Sequence, residues 1–448
     1  MTPDIAWPSV PLTEICRPRQ WKTISLKELE PTGYPVYGAN GKIGFYKEYN
    51  HAHETVLITC RGATCGTLNI CEPQSYVTGN AMALDELSER VDLKFLFYTL
   101  RHRGFDDVIS GSAQPQITGE GLRKVKIPIP RLSQQHRIVA ELDNLLDRSQ
   151  AARAELTRVP KLVERYKQSV LAAAFSGDLT ADWRALNCVK EDAVTMVRRV
   201  LMERRSYLTA GGGHTSRRGR YQEPQDPDWH PKLELPDSWA WASVDQLTKV
   251  MQYGTSAKTN DESTGVPVLR MGNIVRGVLQ INNLKYLPNG HDEFPSLLLD
   301  DGDILFNRTN SPELVGKTAV FYSELPTASF ASYLIRLKAH GVLPGILSAY
   351  INSPYGREWV RSVVSQQVGQ ANVNGTKLSR LAVPLMPKAE QVVLDKRLRE
   401  MMATIDKMEW EVIRANAMLS RLDRSIFDRA LRGDLDSQSK AKHAAAAE

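Results

Sequence analysis

Cysteine is scarce in this chain, and long apolar runs are missing. The 448 residues include 5 widely spaced cysteines, an odd number that fits a reducing cytoplasm and no disulfide framework. No apolar stretch approaches the roughly 20 residues that a membrane-spanning helix needs. The first residues also lack the basic and then apolar segments of a secretory signal. We therefore expect a cytoplasmic protein without a membrane partner. A content of 42% hydrophobic and 24% charged residues excludes general disorder.

A strong excess of one charge sign is missing as well. Lysine and arginine number 57 against 51 aspartates and glutamates, which gives a formal net charge of +6. Seven arginines and one glutamate between residues 198 and 220 account for that surplus, while residues 1–130 balance at 14 against 14. The overall charge therefore neither requires nor excludes a nucleic-acid partner. Contact with nucleic acid would have to rest on local patches and base contacts.

Motifs for catalysis or metal binding do not occur in a usable form. The sequence has no G-x-G-x-x-G fingerprint and no Asn/Asp-Pro-Pro-Tyr/Phe motif of adenine methyltransferases. The segment Val315-Gly-Lys-Thr resembles the end of a phosphate-binding loop, but Ser311 stands where that loop needs its first glycine. His51 and His53, with the three cysteines that follow, match no standard zinc spacing. We expect no active site, no metal and no cofactor in this chain.

An internal repeat is the strongest pattern that the sequence does contain. At a shift of 256 residues two segments agree without a gap over about 65 residues. Gln135 pairs with Gln391 in this alignment, and Gly177-Asp-Leu pairs with Gly433-Asp-Leu. A period of this length is far too long for a solenoid. It indicates a chain built from two halves, each of which ends in the same structural unit.

Each copy of the repeat predicts a long helix. Apolar residues recur at alternating steps of 4 and 3 through residues 138–173 and 394–426, which is the 3.5-residue period of a coiled-coil seam. Pro160 predicts a kink or break near Val159, and the glycine after each copy predicts the helix end. The predicted seam consists of Ile138, Leu142, Leu145, Leu156, Val163, Leu394, Leu398, Ile405, Val412 and Leu419.

Two arrangements of these helices are open. They could be buried in separate cores, or they could pair with each other because they are the same sequence type in one chain. An antiparallel intramolecular pair would relate the halves by a pseudo-twofold axis. The globular parts would then lie at opposite ends of a rod roughly 60 Å long.

The region before each helix is rich in short β-like runs, turns and glycine, and it carries an amphipathic helix near Val91–Val108 or Leu347–Val364. We therefore expect an α+β fold with two globular domains separated by two long helices. The expected divisions are a first globular domain (1–130), a first spacer helix (131–183), a basic flexible linker with a short helix near Asp192–Leu208 (184–234), a second globular domain (235–387), a second spacer helix (388–436) and a C-terminal tail (437–448).

Polar residues that could read base edges cluster in loop-like contexts. Asparagine and glutamine can bond adenine through two atoms, and arginine can do the same with guanine. Any one of these residues could instead be a turn or helix-capping residue, so the clusters carry more weight than their members. The candidates for DNA binding are Asn40, Lys42, Arg61, Gln114, Gln116, Arg270, Asn273, Asn307, Arg308, Asn310, Gln367, Gln370, Asn372 and Asn374.

The order of these parts resembles the specificity subunit of type I restriction-modification enzymes, over nearly the whole chain. The segment 34–46 looks like the opening of one type of target-recognition domain, and segments 266–274 and 301–318 look like another type. Ile127-Pro-Ile-Pro-Arg-Leu-Ser-Gln-Gln opens the first helix as in that family, and Val383-Pro-Leu-Met-Pro-Lys-Ala-Glu-Gln is a looser copy. That departure puts equal contacts of the two helices with a partner in doubt.

The resemblance implies a subunit that performs no chemistry. It implies that each target-recognition domain reads one half of a bipartite, asymmetric DNA sequence, while the antiparallel helices set the gap between the halves. Two adenine-methyltransferase subunits would bind the chain and use S-adenosylmethionine. Two motor-nuclease subunits that use ATP and magnesium could join the complex.

Three alternatives stay open from the sequence alone. The same architecture could serve a methylase-only complex or another methylation-based defence system. A coiled-coil scaffold that binds proteins and not DNA belongs to a different class. The third is an enzyme with an unrecognised site in residues 301–318. Salt-dependent, sequence-selective DNA binding by the assembled complex would distinguish a DNA-recognition subunit from the scaffold.

Overall fold

The computed structural model describes residues 7–111, 114–209, 223–227, 229–311, 314–367 and 370–432. The chain divides into two compact units. The first unit comprises Met1–Val159 together with Glu411–Glu448, and the second unit comprises Pro160–Trp410. Each unit therefore combines one globular region with parts of the helical segments. Among the described residues, no helix is both long and apolar enough to cross a membrane.

The α-helices of the described residues differ widely in length. They are α1 (Leu93–Arg103), α2 (Gly119–Arg123), α3 (Leu132–Leu156), α4 (Val159–Ser176), α5 (Ala181–Leu186), α6 (Ala193–Thr209), α7 (Pro344–Asn352), α8 (Pro354–Val363), α9 (Gly375–Ser379) and α10 (Lys388–Leu431). Short 3-10 turns lie at Leu12–Glu14, Leu26–Glu28, Asp178–Thr180 and Met271–Asn273.

The strands are short throughout. Those of the first unit are β1 (Ser9–Pro11), β2 (Arg17–Gln20), β3 (Tyr34–Gly38), β4 (Gly41–Tyr46), β5 (Thr55–Thr59), β6 (Leu68–Cys71), β7 (Tyr76–Val77), β8 (Ala81–Asp85) and β9 (Lys126–Pro128). Those of the second unit are β10 (Ala240–Ser243), β11 (Thr248–Tyr253), β12 (Val266–Leu269), β13 (Ile274–Val275), β14 (Val278–Leu279), β15 (Lys285–Leu287), β16 (Ile304–Asn307), β17 (Thr309–Asn310), β18 (Thr318–Val320), β19 (Ser329–Phe330), β20 (Leu334–Ala339), β21 (Ser365–Gln367), β22 (Gln370–Asn372) and β23 (Ala382–Leu385).

Two small sheets form the globular part of the first unit. An antiparallel sheet has the strand order β2-β8-β5-β6, and a second sheet has the order β4-β3-β7 with β3 and β7 parallel. Helix α1 packs on the first sheet, where Leu96 and Leu100 join Val56 and Ile58 in the core. The Asp92 carboxylate starts α1 by accepting the Phe95 amide at 2.8 Å. Burial of this apolar helix face, more than helix propensity, holds an 11-residue helix in place.

The second unit repeats this topology on a different sequence. Its antiparallel sheet has the order β11-β20-β16-β18, and its smaller sheet has the order β15-β12-β19 with β12 and β19 parallel. The main departure is an insertion. Two residues separate β3 from β4, whereas 15 residues (270–284) separate β12 from β15. The repeat therefore extends beyond the gapless 65 residues, because insertions break the alignment without changing the strand order.

The repeated glutamines show why the two halves fold alike. Gln135 is fully buried, and its amide accepts the Asp92 N–H at 2.8 Å and donates to the carbonyls of Arg90 and Pro130 at 2.9 and 2.8 Å. Each long helix is thereby tied to the chain before it. A buried amide that satisfies three backbone groups is costly to replace, because each partner would be left unpaired.

Gln391 makes the same three bonds in the second unit. It accepts the Leu343 N–H at 2.9 Å and donates to the carbonyls of Gly341 and Met386 at 2.9 and 3.0 Å. Gly341 and Leu343 precede α7, just as Arg90 and Asp92 precede α1. The identity of the residue at both positions therefore follows from one shared hydrogen-bond arrangement.

The helical segments follow the predicted pattern in most respects. The break expected near Val159 is confirmed, since α3 ends at Leu156 and α4 begins at Val159. Gly177 follows the end of α4 in the left-handed region, while Gly433 lies outside the described residues. The expectation of one amphipathic helix at Leu347–Val364 is wrong. Pro354 cannot continue a helix, so Ser353 ends α7 and caps α8 through its hydroxyl.

The linker between the halves contains the predicted short helix, here α6. Ala193, Met196 and Val200 are buried, so this helix is docked on the second unit. Arg204 donates to the Asp245 carboxylate at 3.0 Å. The arginine-rich middle of the linker, residues 210–222, lies outside the described residues.

Within each unit the helical segments contact each other. In the first unit Ile138 and Leu142 of α3 share a cluster with Ile426 and Phe427 of α10. The Asp423 carboxylate accepts the Ser149 hydroxyl at 2.6 Å, and residue numbers rise on α3 as they fall on α10. The contacts of the first unit are thus those of an antiparallel pair.

The second unit has an equivalent set of contacts around a buried carboxylate. Glu390, near the start of α10, accepts the Thr180 hydroxyl at 2.6 Å and the Trp239 indole N–H at 2.8 Å, and it pairs with Arg184. Further along, Arg397 pairs with Asp182 at 2.6 Å. Within each unit the start or the end of α10 thus contacts the preceding helical segment.

Burial along the predicted seam is uneven. The buried positions are Ile138, Leu142, Val163, Leu394, Leu398 and Ile405. The half-buried positions are Leu145, Leu156, Val412 and Leu419. Met408 and Leu422 belong to the same sequence pattern but are 42% and 50% exposed. The period alone therefore overstates how completely the helices cover each other.

Candidate nucleic-acid interface

A cleft of about 1140 Å³ opens in the second unit. Its walls are the insertion after β12, the segment from the end of β16 through β17, the turn before β18 and the loop before β20. The predicted residues Arg270, Asn273, Asn307 and Asn310 all line it. The structure thus brings together four polar residues from two distant stretches of sequence.

Asn273 shapes the wall of the cleft. It is 3% exposed, and its side-chain carbonyl accepts the Arg270 backbone N–H at 2.9 Å. Its side-chain NH₂ donates to the backbone carbonyls of Gln280 and Asn282 at 2.8 and 3.0 Å. Both amide hydrogens are therefore committed to the loop. Asn273 holds the loop in shape and is not exposed to a ligand, whereas the half-buried Arg270 keeps part of its side chain at the surface.

Asn307 ends β16 and lines the cleft, and Arg308 follows it in the chain. Asn307 is 1% exposed, and its NH₂ donates to the Leu314 carbonyl at 3.3 Å. The Arg308 guanidinium lies 4.9 Å from the centre of the Tyr253 ring, and one of its nitrogens donates to the Ser332 carbonyl at 3.4 Å. Stacking on an aromatic face limits the guanidinium to few orientations, which suits directional bonding to a base edge.

The segment that resembled a phosphate-binding loop is a tight turn between β16 and β18. Gly316 has a φ of +82°, and its amide donates to the Asn307 carbonyl at 2.7 Å, while the Asn307 amide donates to the Lys317 carbonyl at 2.8 Å. A left-handed glycine closes this turn without strain. The turn presents Lys317 to the cleft.

Lys317 lies in electropositive surroundings. Burial lowers the pKa of its amine below the usual range, and the nearby charges of Arg357, Lys167 and Arg276 lower the pKa further against the opposing effect of Glu164. A partly buried cation among other cations is poised to gain from a bound anion. The DNA backbone supplies such an anion at every nucleotide.

A three-stranded ribbon, β17-β22-β21, carries Asn310, Gln367, Gln370 and Asn372. Asn310 and Asn372 lie on adjacent strands and are half-buried. Gln367 and Gln370 are paired through their backbones at the far end of the ribbon. Asn374 caps α9 by accepting the Lys377 amide at 2.8 Å, so this residue acts as a helix cap.

The predicted residues of the first unit lie on exposed loops. Asn40 occupies the turn between β3 and β4 and accepts the Thr64 hydroxyl at 2.8 Å. Lys42 pairs with Glu72 at 3.1 Å. Arg61 and Gln116 face each other in an isolated bridge, and both are exposed.

Gln114, two residues before Gln116 in the sequence, is also exposed.

The loops that carry these residues match between the units. In the first unit the Ile117 amide donates to the Cys60 carbonyl at 3.0 Å. In the second unit the Val373 amide donates to the Arg308 carbonyl at 2.9 Å. Ile117 and Val373 are 256 residues apart. Cys60 thus corresponds to Arg308, and the bridge of Arg61 with Gln116 corresponds to the pairing of β17 with β22.

Sequence reasoning missed two residues of this interface. Tyr253 lies at the end of β11 and supports Arg308, and nothing in the local sequence marks it. Lys317 was visible in the Gly-Lys-Thr string, but we considered that string only as part of a nucleotide loop. A lysine directly after a turn glycine was the signal that could have found it.

The cysteines and histidines of the first unit have structural roles. Cys16, Cys60 and Cys71 are free and buried. His51 is hydrogen-bonded to Asn50 at 2.7 Å and to Asp85 at 2.9 Å. No group of three or more possible metal ligands occurs within the part of the chain that the structure describes.

Known proteins share this sequence pattern and this fold. The model of the type I restriction modification DNA specificity domain matches residues 5–159. The EcoKI specificity subunit of Escherichia coli K12 is 25% identical over 396 residues, covering 88% of this chain and 73% of that protein. The EcoDI specificity subunit of Escherichia coli is 22% identical over 95% of this chain and 91% of its own length.

Solved structures show the same fold. A structure described as the basis of complex assembly and conformational transition of the type I R-M system covers 96% of this chain and 98% of its own, with a TM-score of 0.68 at 17% identity. The HsdS subunit of Thermoanaerobacter tengcongensis covers 96% of this chain and 97% of its own, with a TM-score of 0.53 at 18% identity. Residues 5–159 thus match the type I restriction modification DNA specificity domain, and over most of its length the chain is similar to specificity subunits of type I restriction enzymes.

Proposed function

We propose that this chain is the sequence-specific DNA-recognition subunit of a type I restriction-modification complex, and that each unit reads one half of a bipartite, asymmetric site. The observation that carries the proposal is one loop frame with different side chains in the two units. Thr59 and Cys60 stand in the first unit where Asn307 and Arg308 stand in the second. A shared frame with unlike residues at the same places is what two different half-sites require.

In the second unit the cleft and the ribbon supply both kinds of DNA contact. Arg308 and Asn372 carry the side chains suited to base edges, because arginine matches guanine and asparagine matches adenine in the major groove. Lys317 and Arg270 supply positive charge for phosphates. A β-ribbon is narrow enough to enter a major groove. We assign base reading to the ribbon and phosphate contact to the cleft.

In the first unit the contact would rest on loops. Arg61, Gln114 and Gln116 are exposed together on the segments that correspond to the ribbon of the second unit. Asn40 lies on the neighbouring β3–β4 turn, and Lys42 lies at the start of β4. Because residues 1–130 carry no net charge, recognition by this unit depends on local geometry.

The helical segments fit the role of a ruler. In the first unit α3 and α10 contact each other in the antiparallel sense, in the second unit Glu390 of α10 contacts Thr180, and seam residues such as Leu142 and Leu398 are buried. We propose that the two recognition domains are separated by this antiparallel intramolecular coiled coil. Rigid separation of two DNA-reading modules sets the distance between half-sites geometrically.

The chain is the non-catalytic component, so the chemistry belongs to its partners. We propose two adenine-methyltransferase subunits that bind S-adenosylmethionine and take the target adenine out of the duplex, because base chemistry needs a pocket that closes around a flipped base. A complex that also restricts DNA would add two motor-nuclease subunits that use ATP and magnesium. A methylase-only complex would differ in these partners alone. All would assemble on DNA in the cytoplasm.

The test is selection of DNA by the assembled complex. The chain is co-expressed with its methyltransferase subunits and incubated with a random duplex library at two salt concentrations. We expect enrichment of one bipartite motif with a fixed gap, and affinity that falls steeply with salt. Enrichment of no motif, with the complex intact, would overturn the proposal and favour a scaffold. Methylation by the chain without its partners would overturn its non-catalytic assignment.

The ruler has its own test. Removal of one heptad from α3 and one facing heptad from α10 keeps the seam in phase. We expect both half-site sequences to stay the same while the preferred gap between them shortens. An unchanged gap would show that another element sets the distance.

A further inference from the structure

The insertion of the second unit contains a hairpin, β13–β14, that reaches from the cleft to the helical segments. Its turn residues, Arg276 and Gly277, have φ values of +55° and +89°. Positive φ at both turn positions is the conformation that matches the natural twist of a two-residue hairpin. Arg276 lines the cleft on one side and a groove of about 260 Å³ beside α4, α7 and α10 on the other.

The tip of this hairpin is attached to both helical segments. The Lys167 amine on α4 donates to the Arg276 carbonyl at 2.9 Å. The Arg276 guanidinium forms an ion pair with the Glu409 carboxylate on α10, whose side chain is 22% exposed. One hairpin residue therefore contacts two helices, through its backbone and through its side chain.

The base of the hairpin is fixed in the globular region. Ile274 is 5% exposed and belongs to the core that contains Leu305 and Phe330, and Leu279 packs against it. Asn273 holds the residues on both sides of the hairpin through three hydrogen bonds. The hairpin is thus a stiff connection between the cleft wall and the helices, with ordered contacts at both ends.

The first unit attaches its globular region in another way. Asp143 on α3 accepts the Lys94 amine at 2.8 Å and also the Tyr98 hydroxyl, so α1 is bonded directly to the long helix. The position 256 residues after Asp143 is Arg399, which pairs with Asp395 on its own helix. No counterpart of this attachment is present among the described residues of the second unit.

The space left by that missing attachment is the groove beside α7. Gly345 and Ala349 line it on the α7 side. A Cβ on Gly345 would lie 2.7 Å from an Asp395 carboxylate oxygen, so the Asp395 side chain would have to shift to admit one. The β13–β14 hairpin borders the same groove and bonds to both helices. The hairpin thus joins the globular region to the helices, as the Asp143 attachment does in the first unit.

We propose that the β13–β14 hairpin fixes the orientation of the second recognition domain on the helical spacer, with Arg276 as its positioning residue, and thereby restricts the gap between half-sites. This inference rests on the proposed function. It assigns to Arg276, Lys167 and Glu409 an effect on spacing and not on base choice. A domain that can tilt about its spacer would accept half-sites one base pair nearer or farther.

The test uses the double variant Lys167→Met with Glu409→Gln in the complete complex with methyltransferase subunits. Both changes remove the attachment and leave the cleft-lining residues as they are. Glu400→Gln is the matched control, since Glu400 lies on the same helix and pairs only weakly with Lys396, at 4.0 Å. The readout is binding to the selected motif with its native gap and with gaps one base pair shorter and longer.

We expect the preference for the native gap to fall about tenfold in the double variant, with both half-site sequences unchanged. Glu400→Gln should keep that preference. Lys167→Arg keeps a donor at this position and should retain the preference. A double variant with wild-type gap selectivity, or with altered half-site bases, would overturn the hairpin's role alone. If the wild-type complex selects no bipartite motif at all, the proposed function itself fails, and this role fails with it.

Discussion

The two units share a strand order and differ in what lies between the strands. A two-residue turn at Ala39–Asn40 joins β3 to β4, and the corresponding connection in the second unit is the insertion 270–284. The first unit consequently presents its candidate residues at the exposed surface, while Arg270, Asn273, Asn307 and Asn310 of the second unit line a cleft of about 1140 Å³. Loop length, more than sheet composition, therefore shapes each candidate surface.

The parts that stay the same are those that join each globular region to its long helix. Gln135 and Gln391 make equivalent sets of three hydrogen bonds, and neither is exposed. The parts that diverge face the surface. We call the hydrogen-bonded regions around Gln135 and Gln391 the frame. Substitutions at matched positions should have equal effects on stability in the frame and unequal effects on DNA binding at the interface.

The largest effect is expected at the frame. Gln135→Leu and Gln391→Leu each leave three backbone groups around a buried position without a partner, which should cost ~3–5 kcal/mol of unfolding free energy. Native-state hydrogen exchange should show the loss at α1 for the first variant and at α7 for the second. Gln150→Leu, at an exposed position on α3, is the control and should change stability little. A large cost in one unit only would break the equivalence of the two frames.

At the interface, residues of the two matched loops should act on different half-sites. Arg308→Ala removes a stacked guanidinium and should weaken binding by ~1–3 kcal/mol with relaxed selectivity in one half-site. Arg61→Ala should act on the other half-site. Binding to library members that keep only one half of the selected motif separates the two effects. Loss at both halves from either variant would contradict separate reading by the two units.

Much of the fold could be predicted from the sequence because helix period and repeats are local or exactly spaced. The 3.5-residue pattern located both long helices, and Pro160 located the break between α3 and α4. The shared strand order escaped detection. Insertions of unequal length, such as residues 270–284, remove any constant shift between the two globular regions.

The interface could be predicted only as a set of residue types. Asn273, Asn374 and Asn372 look alike in sequence, since each lies in a polar, turn-rich stretch. The structure gives the first a role in loop shape and the second a role in helix capping, and it leaves the third on the ribbon. Which of these roles an asparagine has depends on backbone partners that are distant or unmarked in the chain.

The attachment of α1 offers a smaller and pH-dependent comparison. Burial raises the pKa of Asp143, but hydrogen bonds from Lys94 and Tyr98, together with the Lys94 charge, outweigh it and hold the pKa below its usual range. A carboxyl whose pKa is lower in the folded state stabilises the fold above its unfolded pKa of about 3.9. That stabilisation is lost as the pH falls through the folded value.

We therefore expect Asp143→Asn to reduce stability by ~1–2 kcal/mol at neutral pH and to have a smaller effect below about pH 3. Urea unfolding of the variant and the wild type across this range measures the difference. Arg399→Ala, at the matched position of the second unit, removes an exposed ion pair and should cost at most ~0.5 kcal/mol. Equal costs would mean that the two units are attached to their helices in the same way.

The smallest effect compares two lysines at the interface. Lys42 pairs with Glu72 at the surface, so Lys42→Met should lower stability by no more than ~0.5 kcal/mol. Lys317 lies among other cations, which together with burial lower its pKa, so Lys317→Met should raise stability by ~0.5–1 kcal/mol. Thermal unfolding of both variants measures this opposite sign.

DNA binding supplies the second half of that comparison. If Lys317 contacts a phosphate, Lys317→Met should reduce the slope of log affinity against log salt by about 1 while leaving the selected bases unchanged. A variant that is more stable, and whose DNA affinity depends less on salt, would show that Lys317 lowers stability but contributes to DNA binding. A stability gain with an unchanged slope would place the phosphate contact elsewhere on the cleft. Arg270 is then the next candidate, because it is half-buried and also lines the cleft.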